Sequence, residues 1–356
     1  LPDVDLDFVR GYARVGALRY DMDASWSTIV SALGATYARA SAASYFDSSG
    51  ILKSASSGDI RRKEHDPDTL ELYGARLEGA RTNAFQNSAD MTYFASTDAS
   101  SAVWASSGEI GPDGVTTMAQ MQKNNAGDAR TLRYRNNFLP IDDFYACSVF
   151  MKAFDGADRY LRFPRAASAS DGIGVANPQW SAVVKMNSRT LGSLGTNAEN
   201  VRLQRLPNGL MRFAVGGKAW STGGTNARLN SLTQVGGDSL TATGSGLVSV
   251  GDGAYFFGGQ MESGVRFASS YIPTAAASAT RAADTFSWAA SGAEGSRYFR
   301  GRTAPGIDIN QVLWEAVGNS GNDRLRLFRD DTGRIRLAVR IGGSDVVDLD
   351  GGAVAN

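Results

Sequence analysis

The chain has 356 residues but very few of the side chains on which metal, disulfide and acid–base chemistry depends. It contains one cysteine, Cys147, and one histidine, His65. A single cysteine excludes an intrachain disulfide framework and any zinc or iron–sulfur site built on several cysteines. A single histidine excludes a centre with several histidine ligands, and a Ser-His-Asp triad would have to use His65.

Net charge and long apolar runs are lacking as well. Basic and acidic residues number 36 each, so the formal net charge is zero, whereas a general nucleic-acid-binding protein presents a basic face. No apolar run reaches the ~18 residues of a membrane-spanning helix. The first residues, Leu1–Asp7, are acidic and do not resemble a signal peptide. We expect no nucleic-acid partner and no membrane insertion, and the missing initiator methionine predicts that residues precede Leu1.

Glycine, by contrast, is abundant. The 41 glycines make up about 12% of the chain (41/356), against a usual ~7%, which predicts many turns. Short runs of strand-forming residues recur between clusters of Gly, Asn and Asp, namely Tyr145–Phe150, Tyr160–Phe163, Ala182–Met186, Leu210–Val215 and Ala254–Phe257. This spacing is typical of an all-β sandwich or barrel rather than of βαβ units.

Several local patterns predict particular elements. The apolar residues of Trp26–Leu33 follow the i, i+3, i+4, i+7 spacing of a short helix. Ala43–Asp47 and Ile51–Ala55 flank a loop containing glycine and predict a hairpin. Pro207–Gly209 predicts another hairpin turn. The charged stretch Asp59–Asp68 predicts a solvated connector.

The last 66 residues predict a separate β module. Ser291–Gly295 has the composition of a linker. Four strand-like runs follow, namely Gln311–Val317, Arg324–Phe328, Arg334–Ile341 and Asp345–Leu349. Alternation in the second run places Leu325 and Leu327 on one face and arginines on the other. These strands are too few to close a sandwich, so we expect the module to continue beyond Asn356 or to be completed by another chain.

A series of short motifs spans residues 5–288 in a fixed order. The motifs are Asp5–Phe8, Tyr37–Gly50, His65–Pro67, Leu77–Asn83, Trp104, Pro112–Gly114, Phe144–Lys152, Leu206–Leu210, Phe256–Glu262, Ser269–Thr274 and Thr280–Asp284. In this order they resemble the concanavalin A-like jelly-roll modules of tail fibres, head fibres and spikes of tailed bacteriophages and prophages.

The resemblance implies an architecture and a setting. The architecture is an all-β chain with an N-terminal arm or attachment region over residues 1–85, a concanavalin A-like jelly-roll β-sandwich over 86–290, and the start of a second β-sandwich module over 291–356. The setting is the exterior of a phage particle, where the arm would dock on other virion proteins and the chain would form a homotrimer. The function it implies is attachment to a host cell-surface polysaccharide or other receptor.

The residues offer little for catalysis. His65 lies between charged neighbours in a turn-like stretch, and we expect a surface or capping role for it. A glycosidase needs two carboxylates, one of them with a raised pKa; Glu262 is a candidate for one, but we expect it to form a salt bridge with an arginine such as Arg81 or Arg281. Asp155–Asp158 resembles an Asp-Gly turn more than a calcium loop. We therefore expect no enzymatic activity, no cofactor and no metal.

Exposed aromatic residues in polar loops are the remaining candidates for a binding site. Sugars bind through aromatic faces that stack on apolar pyranose faces, together with hydrogen bonds from polar side chains. Trp220 and Asn226 belong to the Gly/Ser/Thr/Asn-rich loop Gly216–Asn226, and Trp180 follows Asn177–Gln179 at the start of a strand. We predict carbohydrate binding at Trp220, Trp180 and Asn226, the alternative being that the two tryptophans anchor a loop and a strand edge.

Two other functions stay open at this level. One is a spike that degrades capsule or lipopolysaccharide as a glycoside hydrolase. The other is a structural adaptor that connects the capsid or tail to a distal receptor-binding part.

Overall fold

The computed structural model of the chain describes residues 4–7, 12–15, 18–21, 35–59, 63–91, 102–123, 137–140, 144–154, 160–163, 182–195, 198–218, 226–229, 234–236, 253–288, 298–300, 311–317, 324–329 and 334–353. The helix predicted at Trp26–Leu33, the linker predicted at Ser291–Gly295 and the turn predicted at Asp155–Asp158 lie outside these residues.

The regular secondary structure of the described residues is β-strand, in several antiparallel sheets, which confirms the all-β prediction. The helical turn Pro207–Gly209 contains Asn208 with a φ of 59°, so it is a hairpin turn rather than a helix. No helix in the described part of the chain is long and apolar enough to cross a membrane.

The chain divides into two compact units. The larger comprises Pro2–Trp288 with Ser296–Gly301, and the smaller comprises Leu1, Ala289–Gly295 and Arg302–Asn356. The predicted boundaries of the arm, the jelly roll and the C-terminal module stay predictions.

The strands of the larger unit are β1 (Val4–Asp7), β2 (Tyr12–Val15), β3 (Leu18–Asp21), β4 (Ala35–Ala38), β5 (Ala43–Phe46), β6 (Leu52–Ala55), β7 (Lys63–His65), β8 (Leu72–Ala75), β9 (Arg81–Asn83), β10 (Ala102–Ile110), β11 (Thr117–Lys123), β12 (Asn137–Pro140), β13 (Phe144–Ala153), β14 (Tyr160–Phe163), β15 (Ala182–Lys185), β16 (Thr190–Leu194), β17 (Ala198–Arg205), β18 (Met211–Lys218), β19 (Asn226–Leu229), β20 (Gln234–Gly236), β21 (Gly253–Ser263), β22 (Ala279–Arg281), β23 (Thr285–Trp288) and β24 (Tyr298–Arg300). Those of the smaller unit are β25 (Gln311–Val317), β26 (Arg324–Arg329), β27 (Arg334–Ile341) and β28 (Ser344–Ala353).

Two sheets of the larger unit share one hydrophobic core. A six-stranded sheet has the order β10-β11-β21-β13-β18-β17, and a four-stranded sheet has the order β16-β15-β14-β20. Cys147 and Val149 of β13 and Phe213 of β18 pack in the same cluster as Leu161 of β14 and Val184 of β15. Side chains alternate across a strand, so these residues define the apolar face of the six-stranded sheet.

The other face of the six-stranded sheet is mixed in character. At one end Phe150 of β13 packs with Phe257 of β21 and with Phe46 and Leu52 of the β5–β6 hairpin. Farther along, the buried side chains on this face include polar ones, such as Ser148 and Arg212, beside a small apolar cluster around Ala146 and Ala214. Burying polar groups is unfavourable unless they find hydrogen-bond partners, so this face needs a cover that supplies them.

A one-residue bulge in β21 keeps its polar side chains on the second face. Ser148 and Phe150 of β13 are two residues apart, but their partners Gln260 and Phe257 are three apart, so β21 carries one extra residue. The bulge includes Gly258, whose φ is +66°. Without the extra residue, Gln260 would face the apolar core, because a shift of one residue turns every side chain to the opposite face.

Both predicted hairpins are confirmed. β5 and β6 pair antiparallel around a turn in which the Asp47 carboxylate accepts hydrogen bonds from the backbone N–H of Ser49 (2.9 Å) and of Ile51 (3.0 Å). The Pro207–Gly209 turn joins β17 to β18, which pair antiparallel.

The solvated connector predicted at Asp59–Asp68 is wrong at Lys63–His65, whereas Asp68 is exposed as predicted. Lys63–His65 forms β7, which pairs antiparallel with β8, and Glu64 is buried. The reason is an ion pair: Arg76 Nη1 donates to Glu64 Oε1 at 2.9 Å, which compensates the buried carboxylate. His65 itself is half-buried at the end of β7.

The smaller unit contains one antiparallel sheet in the order β25-β26-β27-β28. Its strands confirm all four runs predicted from the sequence. β27 and β28 are joined on one face by three Arg–Asp ion pairs: Arg334–Asp350, Arg336–Asp348 and Arg340–Asp345.

The geometry at Gly258 predicts that Gly258→Ala destabilises the larger unit. A Cβ there would lie 2.7 Å from Phe150 Cδ2, and the positive φ is itself unfavourable for alanine. We expect a loss of ~2–4 kcal/mol in the free energy of unfolding, measured by chemical denaturation.

Gly58→Ala is the matched control. Gly58 has a φ of +72°, but no neighbouring atom would lie within 4 Å of a Cβ added there. Its loss should be only ~1 kcal/mol, from the backbone alone. Equal losses at the two positions would contradict the close packing at Gly258.

Candidate functional site

The sugar-binding residues predicted from the sequence fall mostly outside the described part of the chain. Neither Trp180 nor Trp220 belongs to it. Asn226 is the first residue of β19 and pairs with Pro140 of β12, which places its backbone in a two-stranded ladder. Carbohydrate binding at these three residues stays a prediction.

What the structure does define is a buried polar network on the second face of the six-stranded sheet. Its centre is the segment Ser269–Thr274, which is buried except for Pro273 and is not part of a strand. Such a segment has no neighbouring strand to satisfy its backbone N–H and C=O groups, so other groups must do so, most of them side chains.

Carboxylates bind the first two residues of this segment. Glu262 Oε1 accepts hydrogen bonds from the backbone N–H and from the hydroxyl of Ser269, both at 3.0 Å. Glu78 accepts from the backbone N–H of Ser270 (2.8 Å) and from its hydroxyl (2.6 Å). Each carboxylate thus satisfies a backbone group and a side chain of the same residue.

Amide and hydroxyl side chains bind the next residues. Gln260 Oε1 accepts from the backbone N–H of Ile272 at 2.7 Å, and Gln260 Nε2 donates to the carbonyl of Ser270 at 3.2 Å. The carbonyl of Tyr271 accepts a hydrogen bond from Ser44 Oγ at 2.5 Å. At the far end, Ser88 Oγ accepts from the backbone N–H of Thr274 at 2.9 Å.

Asn83 uses both ends of its amide in this network. Its Nδ2 donates to the carbonyls of Gly259 (3.1 Å) and Ile272 (2.8 Å). Its Oδ1 accepts from the backbone N–H of Phe85 (3.0 Å) and of Met261 (3.1 Å). These four bonds use the full capacity of the side chain.

Arg281 is the most buried cation of the network. It donates to Glu78 Oε2 (2.6 Å), to the hydroxyl of Ser270 (2.7 Å) and to the carbonyl of Gly79 (2.7 Å). The expected salt bridge of Glu262 therefore involves Arg81, whose Nε lies 3.6 Å from Glu262 Oε2, and not Arg281. The reason is that the guanidinium of Arg281 is directed to Glu78 instead.

A second cluster ties β4 to the segment that follows β22. Arg39 Nη1 donates to the carboxylate of Asp284 at 3.0 Å, and both side chains are fully buried. Tyr37 donates to the same carboxylate oxygen at 2.6 Å. Arg39 also donates to the backbone carbonyls of Ser41 and Ser56, at 2.7 Å each.

Burial shifts the pKa of Glu262 and Arg212 in the network, and that of Cys147 on the apolar face of the same sheet. It raises the pKa of Glu262, although the hydrogen bonds from Ser269 and Gln260 oppose the shift. It lowers the pKa of Arg212 to about 10, with a further contribution from the nearby Arg76. It also raises the pKa of the Cys147 thiol, which leaves that thiol protonated and unreactive at neutral pH.

This arrangement is suited to holding backbone rather than to reacting with a substrate. Glu262 is fully buried and its Oε1 is occupied by Ser269 and Gln260, so a polysaccharide cannot reach it. Within the described residues, no group of three or more His, Cys, Asp or Glu side chains is arranged to hold a metal ion.

Sequence reasoning alone does not reveal the roles of Glu78, Arg39 and Asp284. Each belongs to a motif, but its ion-pair partner across the fold lies more than 200 residues away in the chain, so no local pattern indicates burial. No family model matches the sequence, and no curated protein matches it either.

We predict that Asn83→Asp destabilises the fold strongly despite its nearly identical shape. The aspartate would place an acceptor opposite the carbonyls of Gly259 and Ile272 and would lose both donors. We expect a loss of ~3–5 kcal/mol in the free energy of unfolding, measured by urea titration. Asn208→Asp, in an exposed turn, is the control and should change stability by less than ~0.5 kcal/mol.

The raised pKa of Glu262 predicts a particular dependence of stability on pH. Because its pKa is higher in the folded chain than the ordinary value of 4.5, the protonated form favours folding. Its contribution is fully present below pH 4.5 and is lost as pH rises through the folded-state pKa.

Glu262→Gln isolates this effect because glutamine is neutral throughout. The difference in unfolding free energy between the wild type and Glu262→Gln should shift against the wild type as pH rises, by ~1.4 kcal/mol for each unit of pKa shift. A difference that stays constant between acidic and neutral pH would show that Glu262 titrates normally.

Proposed function

We propose that this chain is an external component of a tailed-bacteriophage particle, a tail fibre, head fibre or spike, that attaches to the host surface by non-catalytic glycan binding. We further propose that the two facing sheets form a concanavalin A-like jelly roll. Host polysaccharide would be the receptor, other virion proteins would hold the N-terminal part, and the chain would act as a homotrimer.

The observation that carries the proposal is that the motifs resembling phage modules meet in space. Glu78 of Leu77–Asn83 binds Arg281 of Thr280–Asp284 across 203 residues of sequence. Asn83 of the first motif binds Gly259 of Phe256–Glu262 across 176 residues. The motifs that carry the resemblance are thus joined by contacts within one unit, which supports reading them as parts of a single module.

The chemistry of the described residues is compatible with adhesion. Their polar clusters are consumed in fixing backbone, and the buried Glu262 and Cys147 are withdrawn from solvent. A rigid scaffold of this kind leaves recognition to its surface loops. Individually weak loop contacts would gain strength from the many copies on one particle.

Binding to immobilised bacterial capsule and lipopolysaccharide glycans tests the proposal. We expect the full chain to bind a subset of these glycans, and Trp220→Ala to weaken that binding at least ~10-fold through loss of aromatic stacking. Trp180→Ala and Asn226→Ala should weaken it less. Leu194→Ala, on the exposed edge strand β16, is the control and should bind as the wild type does.

Other outcomes would point to the two alternative functions. Release of reducing sugar from the same polysaccharides would establish a degrading spike. Absence of binding to every glycan and to host cells would leave a structural adaptor. Unchanged binding by Trp220→Ala would refute the proposed binding residue while leaving glycan binding itself in place.

A further inference from the structure

The central part of the C-terminal sheet separates apolar and charged residues between its two faces. Register places Leu325 and Leu327 of β26 opposite Val339 and Leu337 of β27. The same positions of β27 lie opposite Val347 and Leu349 of β28. On the other face the arginines of β27 lie against the aspartates of β28.

This apolar face is not buried by the described residues of its own unit. No side chain described in the sheet is buried, which covers residues 326–327, 334, 336–346 and 348–350. Toward the β28 edge the exposed fractions are high: 60% for Ile341 and 57% for Leu349. A sheet with one apolar face is stable only when that face packs against another layer.

The charge pattern restricts what that layer is. The three ion pairs compensate the charges of β27 and β28 within the sheet, so those charges do not oppose the approach of a second copy. Register places one charged residue on the apolar side, Arg329 at the end of β26, so the rest of that face needs an apolar partner. The same face of a second copy meets both requirements.

The size of the face is adequate for such a pair. Four strands about 4.8 Å apart, each roughly seven residues long at ~3.4 Å per residue, span ~450 Å². Two copies would therefore bury ~900 Å² of flat sheet area, and side-chain relief raises this to the ~1,000 Å² that a specific interface needs. Two sheets pack face to face at a spacing of ~10 Å.

We propose that the apolar face of the β25–β28 sheet packs against the same face of a second copy of this chain, forming an eight-stranded sandwich across the interface. The inference does not depend on what the protein binds. Its readout is mass rather than glycan binding, so its failure can be told apart from a failure of glycan binding. Together with the proposed homotrimer, it requires two trimers to pair into a hexamer.

Sedimentation equilibrium of the full chain tests the pairing. We expect a mass of two copies or an even multiple, and at least ~10-fold weaker association for Leu349→Lys, because a buried unpaired ammonium opposes the contact. Ile341→Lys should act in the same way. Leu194→Lys is the matched control, since Leu194 is 51% exposed on β16 of the larger unit, and should associate as the wild type does.

Several results would overturn the proposal. They are a monomeric wild type, a mass of three copies, or unchanged association of both lysine variants when circular dichroism shows them folded. Labelling of Leu349→Cys with maleimide adds a second measurement, because the native Cys147 is buried. A monomer whose new thiol resists labelling, or one that binds phosphatidylcholine–phosphatidylglycerol vesicles, would show that another surface covers this face.

Discussion

The need to satisfy the backbone of one buried, irregular segment organises the larger unit. Ser269–Thr274 crosses the second face of the six-stranded sheet without a strand partner. Its N–H and C=O groups would each be unfavourable in that position without a hydrogen bond. Many of those bonds come from the side chains of Glu78, Asn83 and Ser88 and from Gln260 of β21. The segment, the six-stranded sheet and the β5–β6 hairpin, whose Ser44 binds the carbonyl of Tyr271, therefore depend on one another.

The same constraint explains why charged residues are buried in this unit. A carboxylate accepts several hydrogen bonds at once, so Glu78 and Glu262 each bind two donors of a serine. The carboxylates then require cations, which Arg281 and Arg81 provide. Removing one member would leave the others buried without a partner, which is more unfavourable than the loss of a single bond. The β21 bulge belongs to this system because it directs Gln260 and Glu262 toward the segment.

Sequence reasoning recovers the parts of the fold that depend on local pattern. β14 and β25 match the predicted runs at both ends, and the alternation of Arg and Leu identifies the two faces of β26. It fails where a residue's environment is set by a distant partner. Glu64 lies in a stretch as charged as any exposed connector, and only its pairing with Arg76 in the folded chain accounts for its burial. For the binding site, the loop composition around Trp220 indicates a chemistry, but composition does not fix the geometry of a loop.

The two units meet the demand for burial in different ways. The larger unit covers both faces of its central sheet, with apolar residues on one face and with a hydrogen-bonded segment on the other. In the smaller unit, the described strands form a single layer, with ion pairs on one face and apolar positions on the other. A layer of this kind is suited to form half of a sandwich, because the charges of β27 and β28 are paired within the sheet and its apolar face still gains from contact. Self-association through that face would therefore add a hydrophobic interface without placing the ion pairs in it.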